Sequence, residues 1–259
     1  MPFHKTDLND LKKAKTLLEN PGIAAKITNL LGTPIERGLE LLPDNWNVKV
    51  RELTQEALSK AVHAAVFTIK DSPGKEASNY WHKIAVATTG GIGGFFGLTA
   101  LAVELPISTT IMLRSIADIA RSEGEALSKI ESKIACIEVF AFGGPSKSDD
   151  ASESGYFAVR AALAQSVTKA AEYITEKSLA EEGAPALVRL VIKIAERFSI
   201  QVSEKAAAQA VPAIGAAGGA IINTLFIDHF QDMALGHFIV RRLERKYGKE
   251  VVEATYKTV

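Results

Sequence analysis

Asp228, His229, Asp232 and His237 stand close together in Phe226-Ile-Asp-His-Phe-Gln-Asp-Met-Ala-Leu-Gly-His-Phe-Ile-Val240. Apolar residues surround them at nearly every angle of a helix, so much of this segment should be buried. Asp228 and Asp232 share a face at i, i+4, and His229 reaches Asp232 at i, i+3. Glu104 is a further candidate, because it ends an uncharged run of similar glycine-rich texture. Carboxylates and imidazoles on buried helices support three kinds of chemistry. One is a divalent metal site, although the Glu-x-x-His spacing of di-metal bundles is absent. Another is general acid–base catalysis of a hydrolysis, although no Gly-x-Ser-x-Gly or His-Glu-x-x-His motif accompanies it. The third, and the one favoured, is a satisfied structural network with Arg114, Asp118 or Arg242 as partners, since buried ionisable groups are costly unless paired. No cofactor is expected beyond that metal alternative.

The run that Glu104 ends, Ile84 to Val103, has no charged residue and contains five glycines and three threonines. Its length suits a membrane span, but its composition lacks the Leu, Ile and Val content that makes insertion favourable. A phosphate-binding loop would need a preceding strand and a βαβ setting. Buried helices in close contact fit best: Gly90, Gly94 and Gly97 fall on one side at i, i+4, i+7, and Gly215 and Gly219 do the same in a second segment.

The elements that must position these residues read as all-α. Asp7-x-x-Asp10 opens a helical pattern that stops at Asn20-Pro-Gly, and a short piece over residues 24–31 ends at Gly32-Thr-Pro34. Pro43-Asp44 introduces a long pattern through Ile69, and helices are expected from Ile107 to Arg121 and over about 125–141. Asp150-x-x-Glu153 has the capping-box form ahead of a helix carrying Tyr156 through Leu179. Pro185 suits a first helical turn, and the last long helix runs from about Ala213 to Tyr247, with Gly248 as its stop. The expectation is one multi-helix domain over 1–259, with residues 1–30 a peripheral N-terminal helix and two glycine-rich buried helices. Halves of about 44–142 and 150–259 echo one another, Gly93-Gly94 before Glu104 matching Gly218-Gly219 before His229. A pseudo-twofold repeat and a chance likeness explain that echo about equally well.

Thirty basic and thirty acidic residues cancel, so no global field draws nucleic acid, and none is expected as a partner. The single Cys136 lies in an apolar run, excluding an internal disulfide and fitting a reducing compartment. The opening Met1-Pro-Phe-His-Lys-Thr-Asp has no basic segment followed by an apolar one, so a cytoplasmic protein is expected. Arg189, Lys193 and Arg197 recur at i, i+4, i+8, which suits either a solvated face or contact with anionic lipid.

Several blocks carry a family likeness: Leu31-Gly-Thr-Pro34; Gly90-Gly-x-Gly-Gly-Phe-Phe-Gly97 with Glu104-Leu-Pro106; Thr110-x-Met-Leu-Arg-Ser-Ile-Ala-Asp-Ile-Ala120; and Asp149-Asp-x-x-Glu-Ser-Gly-Tyr156. Asp228-His-Phe-Gln-x-x-Ala-x-Gly-His237 and Arg241-Arg-Leu-Glu-x-x-Tyr-Gly248 complete the set. Together these resemble the EcsC protein family of bacteria, from about residue 30 onward. The resemblance implies a single α-helical domain, and the family's name, from a gene beside an ABC-transporter pair, implies a link to the membrane. It carries no catalytic residues. The functional expectation is therefore a non-catalytic protein attached peripherally to the inner face of the cytoplasmic membrane, through lipid or a membrane protein complex. The alternative is a hydrolase or metal-binding protein using the Glu/Asp/His cluster.

Overall fold

A computed structural model of the chain describes residues 3–19, 22–31, 35–40, 42–68, 97–144, 155–177, 185–210 and 215–259. These form ten α-helices and no strand: α1 (Lys5–Leu18), α2 (Ile23–Leu31), α3 (Ile35–Glu40), α4 (Trp46–Thr68), α5 (Gly97–Ser122), α6 (Ile130–Glu138), α7 (Gly155–Lys177), α8 (Pro185–Ala210), α9 (Gly215–Tyr247) and α10 (Lys249–Thr258). A 3-10 turn, Val139–Ala141, follows α6.

The sequence punctuation sets many of the boundaries. Pro185 begins α8, where its missing N–H would have no helical partner in any case. Gly248 ends α9 with φ +88°, a conformation that costs a side-chain-bearing residue energy, and its N–H bonds the Glu244 carbonyl at 2.9 Å. Two segments differ from expectation. The helix expected from Ile107 is the continuation of α5, which runs unbroken through Pro106. Proline removes the bond to the carbonyl of Ala102, but Ala102 is exposed and water can take that carbonyl. The segment expected from residue 125 begins as a loop and becomes helical only at Ile130.

The axis of the fold is α9, whose 33 residues span about 50 Å. Helices α1, α2, α5 and α8 pack directly on it, while α3, α4 and α7 pack on α8. Phe140, Phe198, Phe226 and Phe230 interlock at the centre, with ring centroids 4.9 to 6.0 Å apart. The N-terminal helix is clamped onto α9: Asp7 takes Lys246 Nζ and Tyr247 Oη at 2.6 Å each, and Arg242 donates to Asp10 at 2.8 Å. Lys15 Nζ caps the end of α10 through the Tyr256 and Val259 carbonyls, at 3.1 and 2.8 Å.

Of the glycines expected to permit close helix contact, Gly90 and Gly94 lie outside the described residues, as do 69–96 entirely. Gly97 and Gly215 begin α5 and α9, and Gly219 is buried. Close approach is explicit elsewhere. A Cβ on Gly38 would strike the Ala207 backbone, and one on Gly236 would sit 2.7 Å from Leu18 Cγ and 3.1 Å from the Ala14 carbonyl. Among the described residues, no helix is long and apolar enough to cross a membrane.

The α1–α9 contact gives a stability prediction. Gly236→Val should force α1 away from α9 and cost about 1–3 kcal/mol by overpacking, despite the better helix propensity of valine. Urea unfolding would measure it, and an unchanged midpoint would refute the contact.

Candidate functional site

The most enclosed charges of the described residues join three helices. Lys205 on α8 is fully buried and donates to Glu104 Oε1 on α5 at 2.5 Å. Asn223 Nδ2 on α9 donates to the same oxygen at 3.1 Å, and Gln209 Nε2 reaches Asn223 Oδ1 at 3.5 Å. Lys205 Nζ also lies 5.0 Å from the Phe226 ring centroid, a cation–π contact inside the core. Glu104 is thus satisfied by Lys205 rather than by His229, which stands beyond Asn223 by about 9 Å of helix rise.

His229 is itself buried, with no hydrogen bond to either ring nitrogen. Its ring edge lies against Gly143 at φ +75°, where a Cβ would collide with Cε1 and Nε2. Burial pushes its pKa down to about 3, Lys26 adds to that, and the nearby Phe142 carbonyl pulls the other way. His237 takes a separate neighbour: its Nδ1 pairs with the Tyr156 hydroxyl at 2.8 Å, beside the Phe142 ring. Burial holds His237 well below its ordinary range, with Arg160 and Arg241 reinforcing the shift, and it raises the Tyr156 phenol. Asp232 pairs with Lys26 at 3.2 Å, and Asp228 is half-buried.

The five candidates therefore lie strung along the bundle. The proposed partners go elsewhere too: Arg114 is exposed, Asp118 pairs with Arg121 at 2.7 Å, and Arg242 bridges Asp10 and Glu123 at 2.8 Å each. No group of three metal-ligating side chains occurs among the described residues.

A second network gathers where the α5–α6 loop meets the last turns of α9. Glu125 receives Arg241 Nε at 2.9 Å, Ser132 Oγ at 2.7 Å, and Arg245. Arg160 holds Glu244 through two parallel bonds at 2.7 and 2.9 Å. Between them Glu138 is almost fully buried, and burial pushes its carboxyl up to about 7 against the pull of Arg160 and Arg241. Cys136 is nearby and buried, its thiol raised first by burial and then by Glu125.

Openings to the surface among the described residues include two beside the candidate side chains. The first, of about 380 Å³, lies beside the Phe142–Gly144 turn and contains Arg197, Glu204, Tyr156 and Glu19. Arg197 is half-buried there, its Nε donating to the Ala141 carbonyl at 2.8 Å, while burial pushes Glu204 up to about 6 against an Ala24 backbone hydrogen bond. The second, of about 480 Å³, separates α7 from α8 and is lined by Gln165, Ser166, Lys169, Tyr173, Arg189 and Lys193 among others. The stripe is therefore divided. Arg189 and Lys193 face the second opening, while Arg197 is rotated about 80° from Arg189 on the helix and faces the first. Lys169, supplied by α7, escaped sequence reading because its partners lie on another helix. Lys205 had a legible signal, since it continues the apolar row Ile194, Phe198 and Val202.

Such a bundle, with buried polar joints and no assembled catalytic constellation among the described residues, is an all-helical protein of one architectural class. The family model of the EcsC protein family matches residues 5–243, and the chain belongs to that family. No curated protein and no solved structure matches it.

Two outcomes follow from the buried charges. Lys205→Met alone should cost about 3–5 kcal/mol by stranding Glu104, whereas Lys205→Met with Glu104→Leu should recover most of the loss; denaturant midpoints decide it. Glu138 is raised in the folded state, so its contribution is fully present below its unfolded value of about 4.5 and is lost as pH rises through about 7. Glu138→Gln should match the parent in stability near pH 4 and exceed it by about 3 kcal/mol at pH 8.

Proposed function

We propose that this protein is a non-catalytic helical module that attaches peripherally to a membrane surface, or to a complex within it, from the cytoplasmic side. The observation that carries this reading is the α7–α8 groove. Its three cations, Lys169, Arg189 and Lys193, have no ion-pair partner among the described residues and stand beside exposed apolar Val188 and Ile192. Cations next to apolar side chains on one helix suit the boundary between headgroups and acyl chains. Family membership adds no residue-level role. The competing reading, a hydrolase or metal-binding protein, needs Glu104, Asp228, His229, Asp232 and His237 to converge on an open cavity. Glu104, Asp232 and His237 each have a different partner, and His229 is closed off by Gly143.

Co-sedimentation with vesicles tests attachment. The chain should pellet with anionic vesicles, remain in solution with neutral ones, and lose binding at high salt. Arg189→Glu with Lys193→Glu should abolish binding without lowering the melting temperature. Arg197→Glu should lower stability, because Arg197 holds the Ala141 carbonyl. No sedimentation with any anionic vesicle would sink the proposal.

A further inference from the structure

The chemistry of the groove narrows what it holds. It is an opening of about 480 Å³ rather than a flat basic stripe, and its cations come from both walls, Lys169 from α7 and Arg189 and Lys193 from α8. Ser166 and Gln165 add neutral hydrogen-bonding groups to the α7 wall, and the Tyr173 side chain completes it. Glu172 and Glu196 stand one turn from Lys169 and Lys193 on the same helices, yet neither comes within ion-pair distance of them. Three cations around one concavity suit a compact group carrying more than one negative charge. A phosphate monoester carries about −1.5 to −2 near neutral pH and offers three acceptor oxygens. A phosphodiester carries only one charge. Arginine can hold such a group through two parallel bonds, while lysines act as point charges.

Ile192 lines the groove and is 37% accessible, and Val188, 40% accessible, lies one turn before it on α8; both would remain in water if the occupant were a free ion. An occupant with an acyl tail would cover them.

We infer that the α7–α8 groove is a binding site for the phosphate-monoester headgroup of a membrane lipid, with Lys169, Arg189 and Lys193 as its charge-bearing ligands and Ser166 and Gln165 as hydrogen-bonding ones. This rests on the surface-attachment reading above and specifies the lipid class that attachment selects.

The test uses the full chain with three vesicle types: phosphatidylcholine alone, and phosphatidylcholine containing phosphatidate or phosphatidylglycerol at matched surface charge. Phosphatidate vesicles should bind about tenfold or more tightly than phosphatidylglycerol vesicles, a difference of about 1.4 kcal/mol. Lys169→Gln, Arg189→Gln and Lys193→Gln together should remove that preference. The control Lys12→Gln with Lys13→Gln, at exposed positions on α1, should leave it intact. Melting curves establish that each variant is folded, and glycerol 3-phosphate should compete with phosphatidate vesicles for the parent chain. Equal binding to both anionic vesicles overturns the monoester site while attachment stands. Absence of binding to every vesicle overturns both. Stabilisation by inorganic phosphate or glycerol 3-phosphate without vesicle selectivity shows a soluble-phosphate site and overturns the lipid assignment.

Discussion

The buried pair Lys205–Glu104 sets how the three longest helices meet. An ammonium and a carboxylate removed from water cost several kcal/mol each unless they find one another. Here they do so where α5, α8 and α9 converge, with Asn223 completing the junction. A one-residue slip of α5 or α8 would rotate Glu104 or Lys205 by about 100° and strand a charge in the core, and a slip of α9 would remove the Asn223 hydrogen bond. The aromatic cluster of Phe140, Phe198, Phe226 and Phe230 supplies apolar burial but tolerates small displacements. The polar joint does not, so it chooses among alignments that hydrophobic packing alone would leave close in energy.

Charge is distributed unevenly over a chain whose total is zero. Around the C-terminal half of α9, Arg241, Arg242, Arg245 and Lys246 are consumed by Glu125, Glu123, Asp10 and Asp7. That end of α9 uses electrostatics to hold α1 and the α5–α6 loop in place. The α7–α8 groove does the reverse, presenting Lys169, Arg189 and Lys193 without an ion pair among the described residues. A net charge of zero conceals this contrast.

The sequence disclosed elements more readily than partners. Helices α1, α2, α4, α8 and α9 were legible because proline, glycine or aspartate marks their ends, and local chemistry governs ends. The short α3 and the terminal α10 were not anticipated from the sequence, which was read as stopping at Gly248 at that end; α3 packs on α8 and α10 on α9. Burial of Glu104, His229 and His237 was readable from the apolar residues around them. Their partners were not, because Lys205, Gly143 and Tyr156 come from distant segments, and only tertiary packing brings them together. Arg197 shows the limit of spacing rules: eight residues from Arg189 looks like one stripe, yet the helical turn carries it to another wall.

Cys136 gives the molecule an internal clock. It is the one thiol of the chain, it is buried against α6's neighbours, and its surroundings suppress the thiolate that reacts. A thiol reagent can therefore modify the protein only when that region opens to solvent. The labelling rate would report local opening free energy directly, with no second site to confuse the signal. Any change in the breathing of the core around α6 is readable from a single atom, Sγ of Cys136.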